Sequence, residues 1–428
     1  MPREQVDLII EKANQLVTLR GGSEKPLTKE NMRQLGIIEN GAVAVKNGKI
    51  IAIGKTEQIN SKYKSENVIN TYGKLVAPGF VDAHTHLVFA GSREDEFEMK
   101  LEGISYMEIL QKGGGILRTV AETRKASLEQ LIELGKERLD TMLIHGTTTV
   151  EAKSGYGLST RDEIKCLEAI EKLNKQHPID VIPTFLGAHA VPNEYRDRPD
   201  DYVDLVVEEM IPAVAERKLA EFCDVFCEKG VFNVKQSKRI LLAGKEYGLL
   251  PKIHADEMSW LGGAELAAEV EAVSAEHLLF ASENGIKALA EKGVVAVLLP
   301  ATSFSLMLGK YANARKMIDE GVAVALGTDL NPICWVENMQ LVIALACRMM
   351  RLTPAEALSA ATINAAHSLR KAHMIGSLEV GKKADIVIFK VPNYRFLGYR
   401  FGVNLVDKVI KNGRLVVVDG KLILGEAS

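Results

Sequence analysis

Two histidines one residue apart, His84 and His86, follow a short apolar run near residue 80. That run is too short for a helix and comes directly after Pro78 and Gly79, which favours a strand that begins inside the protein. Because side chains at i and i+2 of a strand share a face, both imidazoles can point at one metal ion. Two ordinary polar residues at a strand end would look the same, so this motif alone leaves metal binding open.

Two further candidate metal ligands, His254 and Asp329, occur later in the chain. Together with His84 and His86 they provide three neutral imidazoles and one carboxylate, a set that suits zinc and ferrous iron equally well. One open coordination position would hold water, and a divalent ion lowers the pKa of such a water from about 15.7 towards 7. These four residues therefore predict a hydrolytic site with one zinc or iron ion.

Hydrolysis also needs groups that carry protons, and three residues qualify. Glu257, three residues after His254, can take the proton from water and return it to a leaving nitrogen. Asp329 can share that proton, and His277 can hydrogen-bond the carbonyl oxygen or the activated water. We therefore predict Glu257, His277 and Asp329 as catalytic residues.

Arg93 and Tyr156 are candidate substrate contacts. Arg93 lies just past the paired histidines, and its planar guanidinium can grip a carboxylate through two hydrogen bonds, although a surface arginine is the alternative. Tyr156 lies between Gly155 and Gly157, in a loop where an aromatic residue of the core would be unusual. A ligand contact is the better interpretation of Tyr156.

The elements that must position these residues are found between residues 79 and 369, where short β-branched runs alternate with longer helical stretches. That alternation indicates parallel strands joined by crossover helices. Eight candidate strands are Phe80–Asp82, Thr147–Lys153, Val181–Gly187, Phe222–Glu228, Pro251–His254, Ala272–His277, Val294–Pro300 and Val322–Asp329. They predict a (β/α)8 TIM-like barrel, with the active site at the carboxyl ends of the strands. A doubly wound sheet is the alternative, but no Gly-rich phosphate loop follows the first strand.

Short β-like segments separated by Asn-Gly and Gly turns occur at both ends of the chain. Such a pattern is typical of hairpins. We predict that residues 1–78 and 370–428 together form a small composite β-sandwich domain beside the barrel of residues 79–369.

The composition and charge of the chain limit the kinds of partner that it can bind. A chain of 428 residues, 47% hydrophobic and with a formal net charge of -3, can bury a sizeable core, and its scattered lysines and arginines argue against nucleic acid or membrane partners. A small-molecule substrate is expected. The N-terminus lacks a signal-peptide pattern, no apolar run approaches the roughly 20 residues that span a bilayer, and five cysteines fit no disulfide framework. These features predict a cytoplasmic location.

Several segments resemble one enzyme superfamily, the metal-dependent amidohydrolases. The resemblance is carried by residues 78–86, by the later His254, His277 and Asp329, and by residues 376–385. Within it the chain is most similar to the imidazolonepropionase family, through residues 88–94, 103–106, 113–117, 151–157, 187–189, 253–257 and 328–329. The likeness covers nearly the whole chain. It implies a barrel with a composite β domain, one zinc or iron ion, a homodimer, and ring opening of 4-imidazolone-5-propanoate by water to N-formimidoyl-L-glutamate in histidine degradation.

The resemblance also implies which residues line the substrate site: Arg93, Tyr156, His189 and Glu257, with Tyr106 as a weaker candidate. After Asp329 the chain departs from the family pattern. Asn331 is retained, but Ile333, Cys334 and Trp335 stand where many members have small residues. The resemblance implies that the backbone or small side chains at the positions of Ile333 and Cys334 hold substrate or product. We therefore expect Asn331, Ile333 and Cys334 at the substrate, in an altered pose.

Three alternatives remain at this point. A cytosine-deaminase-like or other cyclic-amide amidohydrolase would share the activated water, although Arg93 and the Gly-Tyr-Gly loop favour a substrate with an anionic tail. A binuclear hydrolase would use a bridging group after the fourth strand, where Glu228 and Lys229 lie. A non-catalytic scaffold would be expected to lose metal ligands, and none is lost here.

Overall fold

A parallel barrel forms the centre of the molecule. The computed structural model describes residues 2–104, 108 and 113–423. Within them, eight strands pair in sequence order, all parallel. They are Phe80–Asp82, Thr147–Lys153, Asp180–Ala188, Phe222–Cys227, Leu250–Ala255, Ser274–His277, Val295–Leu298 and Val324–Leu326. The predicted TIM-like barrel is confirmed. The eighth strand ends at Leu326, earlier than predicted, because the chain turns there towards the first strand.

The first and last strands meet just beyond their ends, at the predicted metal ligands. The backbone N–H of Asp329 donates to the carbonyl of His84, and that of His86 donates to the carbonyl of Leu330, both at 2.9 Å. A Cβ at Gly327 would lie 3.0 Å from both the Cβ and the backbone nitrogen of His84, a tight contact that glycine avoids. The same backbone hydrogen bonds therefore close the barrel and position the predicted ligands His84, His86 and Asp329.

Amphipathic helices surround the barrel. The helix Leu128–Ile144 illustrates why: Ser127 and Gln130 form a capping box at its start, and Leu131 and Leu139 are buried in the core. The other α-helices are Thr56–Lys62, Glu94–Leu101, Ile116–Lys125, Thr160–Gln176, Pro199–Leu205, Ile211–Glu216, Val234–Glu246, Gly263–Glu269, Glu283–Lys292, Pro300–Ser305, Ala314–Glu320, Met339–Met349, Pro354–Ala360, Ile363–Ser368 and Arg395–Tyr399, with 3-10 turns at Lys29–Arg33 and Asn193–Tyr195 and a π-helical turn at Val206–Met210. None of the described helices has the length and apolar character needed to cross a bilayer.

Strands from both ends of the chain share one sheet. Among the described residues its nine members are Leu8–Leu16, Ile38–Lys46, Lys49–Lys55, Val68–Asn70, Leu75–Pro78, Ile386–Phe389, Val406–Lys411, Arg414–Val418 and Lys421–Leu422, and a separate pair joins Glu4–Gln5 to Tyr63–Lys64. The strand Ile386–Phe389 runs antiparallel to both Leu75–Pro78 and Val406–Lys411, which links the two ends. The division of the chain into domains at residues 78 and 370 stays a prediction.

This terminal sheet packs against the barrel because the side chains of its strands point alternately to its two faces. Ile386 and Ile388 belong to a small core within the terminal region. Val387 and Phe389 point the other way and join the large barrel core, where the ring of Phe389 lies 5.6 Å from that of Phe80. The sheet thus supports the strand that leads directly to the paired histidines.

Candidate active site

The four predicted metal ligands converge at the carboxyl end of the barrel. The Nε2 atoms of His84 and His86 are 3.3 Å apart and lie 3.3 and 3.4 Å from Oδ1 of Asp329. The ring centroid of His254 is 4.6 Å from that of His84. Two overlapping donor groups share His84, one with His86 and Asp329 and the other with His254 and His277, and donor atoms within each group lie within 4.8 Å of one another.

The chemistry of these donors fits a divalent metal ion. The Nε2 atom of His254 is buried and has no hydrogen-bond partner among the described residues, as expected of a ligand atom. Burial lowers the pKa of His84, but the nearby carboxylates of Glu276 and Asp329 outweigh this and raise it to about 9. Negative charge from Glu276 and Asp329 therefore lies beside the His84 imidazole, where a bound cation would balance it.

The backbone is strained where two of these residues leave their strands. His277 and Asp329 have φ angles of 70° and 52°, in the left-handed region that non-glycine residues seldom adopt. Asp329 is further fixed by Thr302, whose hydroxyl donates to its Oδ2 at 2.6 Å. Such local strain is typical of functional sites whose surroundings hold side chains in set orientations.

The three predicted proton carriers form one cluster. The Nε2 atom of His277 lies 3.6 Å from Oε2 of Glu257 and 4.0 Å from Oδ2 of Asp329. Burial, together with the charges of Asp329 and Glu228, raises the pKa of Glu257 to about 8. Burial also holds the pKa of His277 well below its usual value. The cluster therefore combines a carboxyl group that titrates near neutral pH with an uncharged imidazole.

A cavity of 360 Å³ opens over this cluster. Its lining includes ten of the predicted site residues: His86, Arg93, Tyr156, His189, His254, Glu257, His277, Asp329, Asn331 and Ile333. Its remaining residues are mostly apolar, apart from Lys100 and Thr302. A small, partly apolar cavity with a few convergent polar groups suits a small polar molecule.

Arg93 belongs to the cavity wall and not to the exposed surface. It is 7% exposed, and its Nε and Nη2 atoms donate to Oε2 of Glu96 at 2.9 and 2.5 Å. Glu96 in turn accepts from the backbone N–H of Gly115 at 3.0 Å. This pairing fixes the guanidinium, and Lys100 adds a second cation to the same wall.

Tyr156 and His189 are held together by the loop after the second strand. The Nδ1 atom of His189 lies 3.1 Å from the carbonyl oxygen of Gly155, whose φ of 106° and tight contact with the imidazole exclude a side chain there. Glu163 accepts hydrogen bonds from three backbone N–H groups of this loop. The ring of His189 also stacks on His86 at 4.7 Å, which places His189 beside a predicted metal ligand.

A protein-family model with the description "Amidohydrolase family" matches residues 75–416 of the chain. The chain belongs to the amidohydrolase family. Among curated relatives, this amidohydrolase is 57% identical over 420 residues to an imidazolonepropionase of Geobacillus sp. (strain WCH70), covering 97% of this chain and 99% of that protein. It is 55% identical over 421 residues to an imidazolonepropionase of Alkaliphilus metalliredigens (strain QYMF), covering 98% and 100%. The resemblance inferred from the sequence is confirmed.

Solved structures show the same fold at low identity. An adenosine deaminase of Xanthomonas campestris with bound zinc matches with a TM-score of 0.74 and 22% identity, over 99% of this chain and 96% of that one. Guanine deaminase of E. coli matches with a TM-score of 0.74 and 18% identity, over 96% and 98%. Family membership and the clustered donors together support a metal-ion site in this amidohydrolase.

The loop that departs from the family pattern is built around Asn331. Its side-chain oxygen accepts from the backbone N–H groups of Ile333 and Cys334 at 2.9 and 3.1 Å, and its amide donates to the carbonyl of Asp329 at 2.8 Å. This turn carries Ile333 into the cavity wall. Asn331 thus shapes the loop as well as lining the cavity.

Cys334 and Trp335 both lie outside the lining of the cavity. Cys334 is absent from the cavity lining; it is buried, with its sulfur near the hydroxyls of Thr302 and Ser305. The ring of Trp335 packs edge-on against Phe89 at 5.2 Å. The expected substrate contact of Cys334 is therefore not supported, because the Asn331 turn directs its side chain into the protein interior.

The described residues do not support a binuclear site that uses Glu228 as the bridging carboxylate. Glu228 holds the loop after His254: it accepts from the backbone N–H of Met258 at 2.9 Å and contacts the hydroxyl of Ser259. No group of possible metal ligands among the described residues includes Glu228. Tyr106 lies outside the described residues.

Sequence reasoning missed a set of charged residues in the barrel interior beneath the histidines. They are Glu151, Lys153, Asp224, Lys252 and Glu276, all 0% exposed. The sequence contained a signal for them, since Glu151 and Lys153, and likewise Lys252 and His254, alternate on one face of strands predicted for the barrel interior. Buried charges require partners, so such a pattern in several strands predicts an internal ion-pair cluster.

Proposed function

We propose that this amidohydrolase opens the ring of 4-imidazolone-5-propanoate with water to give N-formimidoyl-L-glutamate, a step of histidine degradation. The reaction breaks the ring C–N amide bond: the carbonyl carbon gains the oxygen of water, and the ring nitrogen gains a proton. One observation carries the proposal. A single 360 Å³ cavity is lined both by the histidine and aspartate cluster and by the cations Arg93 and Lys100, as a cyclic amide with a carboxylate tail requires.

His84, His86, His254 and Asp329 would hold one zinc or iron ion. When bound, such an ion supplies Lewis acidity for the amide carbonyl and lowers the pKa of water. Both zinc and iron accept these four ligands, so the cellular supply of each metal also determines which one binds.

Glu257 is proposed to take the proton from the attacking water and to return it to the ring nitrogen as the C–N bond breaks. Its raised pKa, about 8, suits both transfers near neutral pH. His277, 3.6 Å from Glu257, is proposed to hydrogen-bond the amide oxygen as negative charge develops there. Asp329 shares the proton through its second oxygen.

Arg93 is proposed to bind the propionate, with Lys100 beside it adding positive charge. Because Glu96 fixes the Arg93 guanidinium, little side-chain freedom is lost when the carboxylate binds. A neutral His189 that donates from Nδ1 to Gly155 leaves its Nε2 as an acceptor for the substrate. Tyr156, Asn331 and Ile333 complete the wall.

The deciding experiment measures turnover and metal content on the same sample. We expect about one zinc or iron per chain and loss of the imidazolone absorbance when 4-imidazolone-5-propanoate is added. Full metal occupancy without that turnover, but with ammonia released from cytosine, would establish the deaminase alternative instead. Full occupancy with no turnover of either compound would favour a scaffold.

A cytoplasmic location and a homodimer remain part of this proposal. Cell fractionation tests the location, and sedimentation equilibrium of the purified protein tests the dimer. Neither result bears on the chemistry of the cavity.

A further inference from the structure

Five buried charges occupy the barrel interior directly beneath the metal histidines. Lys153 lies at the centre: its Nζ is 2.8 Å from Oε1 of Glu151, 2.9 Å from Oδ2 of Asp224 and 2.9 Å from Oε2 of Glu276. Lys252 is 2.7 Å from Oε1 of Glu151 and 3.0 Å from Oε1 of Glu276. Two ammonium groups therefore connect three carboxylates in a region with no exposed surface.

Two of the carboxylate oxygens are shared with metal ligands. Oδ2 of Asp224, which contacts Lys153, also lies 2.9 Å from Nδ1 of His254. Oε2 of Glu276, which also contacts Lys153, is in contact with Nδ1 of His84. A continuous path thus runs from one imidazole to the other, with the Lys153 ammonium at its midpoint.

We propose that Lys153 is a positioning residue that joins His84 and His254 into one unit through Glu276 and Asp224. This inference rests on the proposed metal site. A carboxylate beside Nδ1 keeps the proton on that nitrogen and leaves Nε2 for the metal. Because one ammonium holds both carboxylates, neither imidazole can reorient without disturbing the other.

The same five charges also affect whether a second metal ion could bind beside the histidines. Glu151 and Glu276 with His84, and Asp224 and Glu276 with His254, are each close enough to hold a metal. The ammonium groups of Lys153 and Lys252 already lie within 3.0 Å of these carboxylates. A cation there would be repelled by both lysines, so these groups serve the histidines instead.

Lys153→Met tests the proposal through zinc affinity of the metal-free protein, measured by competition with a chromophoric chelator. We expect binding about 10- to 100-fold weaker than in the wild type, as for lost outer-shell partners of metal ligands. The direction of the change in zinc affinity is informative, because removal of a nearby positive charge alone would tighten zinc binding. The visible spectrum of the cobalt-substituted protein should also change, since the imidazoles adopt new orientations.

Lys411→Met is the matched control. Lys411 is also a buried lysine between two carboxylates, at 2.8 Å from Asp180 and 2.6 Å from Asp385, but it contacts no metal ligand. We expect it to lower thermal stability while zinc affinity and the cobalt spectrum remain those of the wild type. Folded Lys153→Met protein with unchanged or tighter zinc binding would overturn the proposal.

A second set of variants applies if Lys153→Met fails to fold. Asp224→Asn and Glu276→Gln keep the shapes of the side chains, and each should weaken zinc binding about 10-fold. The double variant should lose less than the product of the two, because either change already breaks the shared unit. Losses that multiply would overturn the coupling, whereas wild-type protein that binds no zinc or iron would overturn the metal site itself.

Discussion

The two ends of the barrel contain the same kind of interaction with different neighbours. At the carboxyl ends of the strands, Lys153 closes the second strand and pairs with three buried carboxylates. At the amino ends, Asp180 opens the third strand and pairs with Lys411 and Lys383 of the terminal region, both at 2.8 Å. Both clusters are lysine–carboxylate networks.

Their neighbours separate their roles. Two of the carboxylates beside Lys153 contact the imidazoles of His84 and His254, whereas Asp385 beside Lys411 accepts from the backbone N–H of Asn412 at 2.8 Å. One network therefore orients reactive side chains, and the other holds the terminal sheet on the barrel. An ion pair in the interior does not reveal its role until the groups around it are known.

The largest expected effect tests the carboxyl end. Glu257→Gln keeps the shape of the side chain but removes the proton carrier, so kcat should fall by about 1,000-fold while metal content and melting temperature are retained. Steady-state kinetics on 4-imidazolone-5-propanoate measure this, with the exposed Glu320→Gln as the matched control. Near wild-type turnover would transfer the proton role to Asp329 or His277.

The amino end should behave in the opposite way. Lys411→Met leaves the Asp385 carboxylate buried without its closest cation, so the free energy of unfolding should fall by about 3 kcal/mol. Denaturant titration measures the loss, and kcat/KM per folded molecule should be unchanged. A folded variant with impaired kinetics would show that the amino end also takes part in the chemistry.

Arg93→Ala should raise KM for the substrate by about 30-fold with a smaller change in kcat, because charge-assisted hydrogen bonds to the propionate are lost. Arg93→Lys serves as the comparison and should recover only part of the affinity, since an ammonium cannot replace the planar fork. An unchanged KM would remove Arg93 from the proposed binding site.

Glu356 provides a second test of a buried ion pair that stabilises the fold. Burial raises its pKa, but hydrogen bonds from Arg315, Thr353 and Arg33 outweigh this and lower it to about 2. Stability from the ionised group is thus present above its ordinary pKa of 4.5 and lost as pH falls from there towards about 2. Glu356→Gln should lower the free energy of unfolding by about 2 kcal/mol at pH 7, with the difference shrinking in acid. A difference independent of pH would contradict this account.

The smallest effect is expected at Cys334, whose predicted substrate contact the structure does not support. Cys334→Ser should change KM by less than about 3-fold, because its sulfur is packed behind the cavity wall and such changes remote from a ligand are mild. Ile333→Ala, one residue earlier, should change KM more. The reverse order would return Cys334 to the substrate site.

Much of the fold could be read from the sequence, because strand and helix periodicities are local properties. The alternation of β-branched runs with helical stretches indicated the barrel, and the paired His84 and His86 located its functional end. Strand ends were less accurate: the eighth strand stops at Leu326 because a tertiary contact, the approach of Gly327 to His84, turns the chain.

The residue types and spacing were sufficient to predict four candidate ligands and three candidate proton carriers, and to identify the likeness to imidazolonepropionases, because a reaction requires particular functional groups. Only the tertiary structure decided that Cys334 faces inward and that Lys153 lies between the partners of His84 and His254. A charged residue in a strand can be exposed, paired for stability or paired with a ligand. Which of these holds depends on side chains from distant strands, and the sequence of any one strand does not contain them.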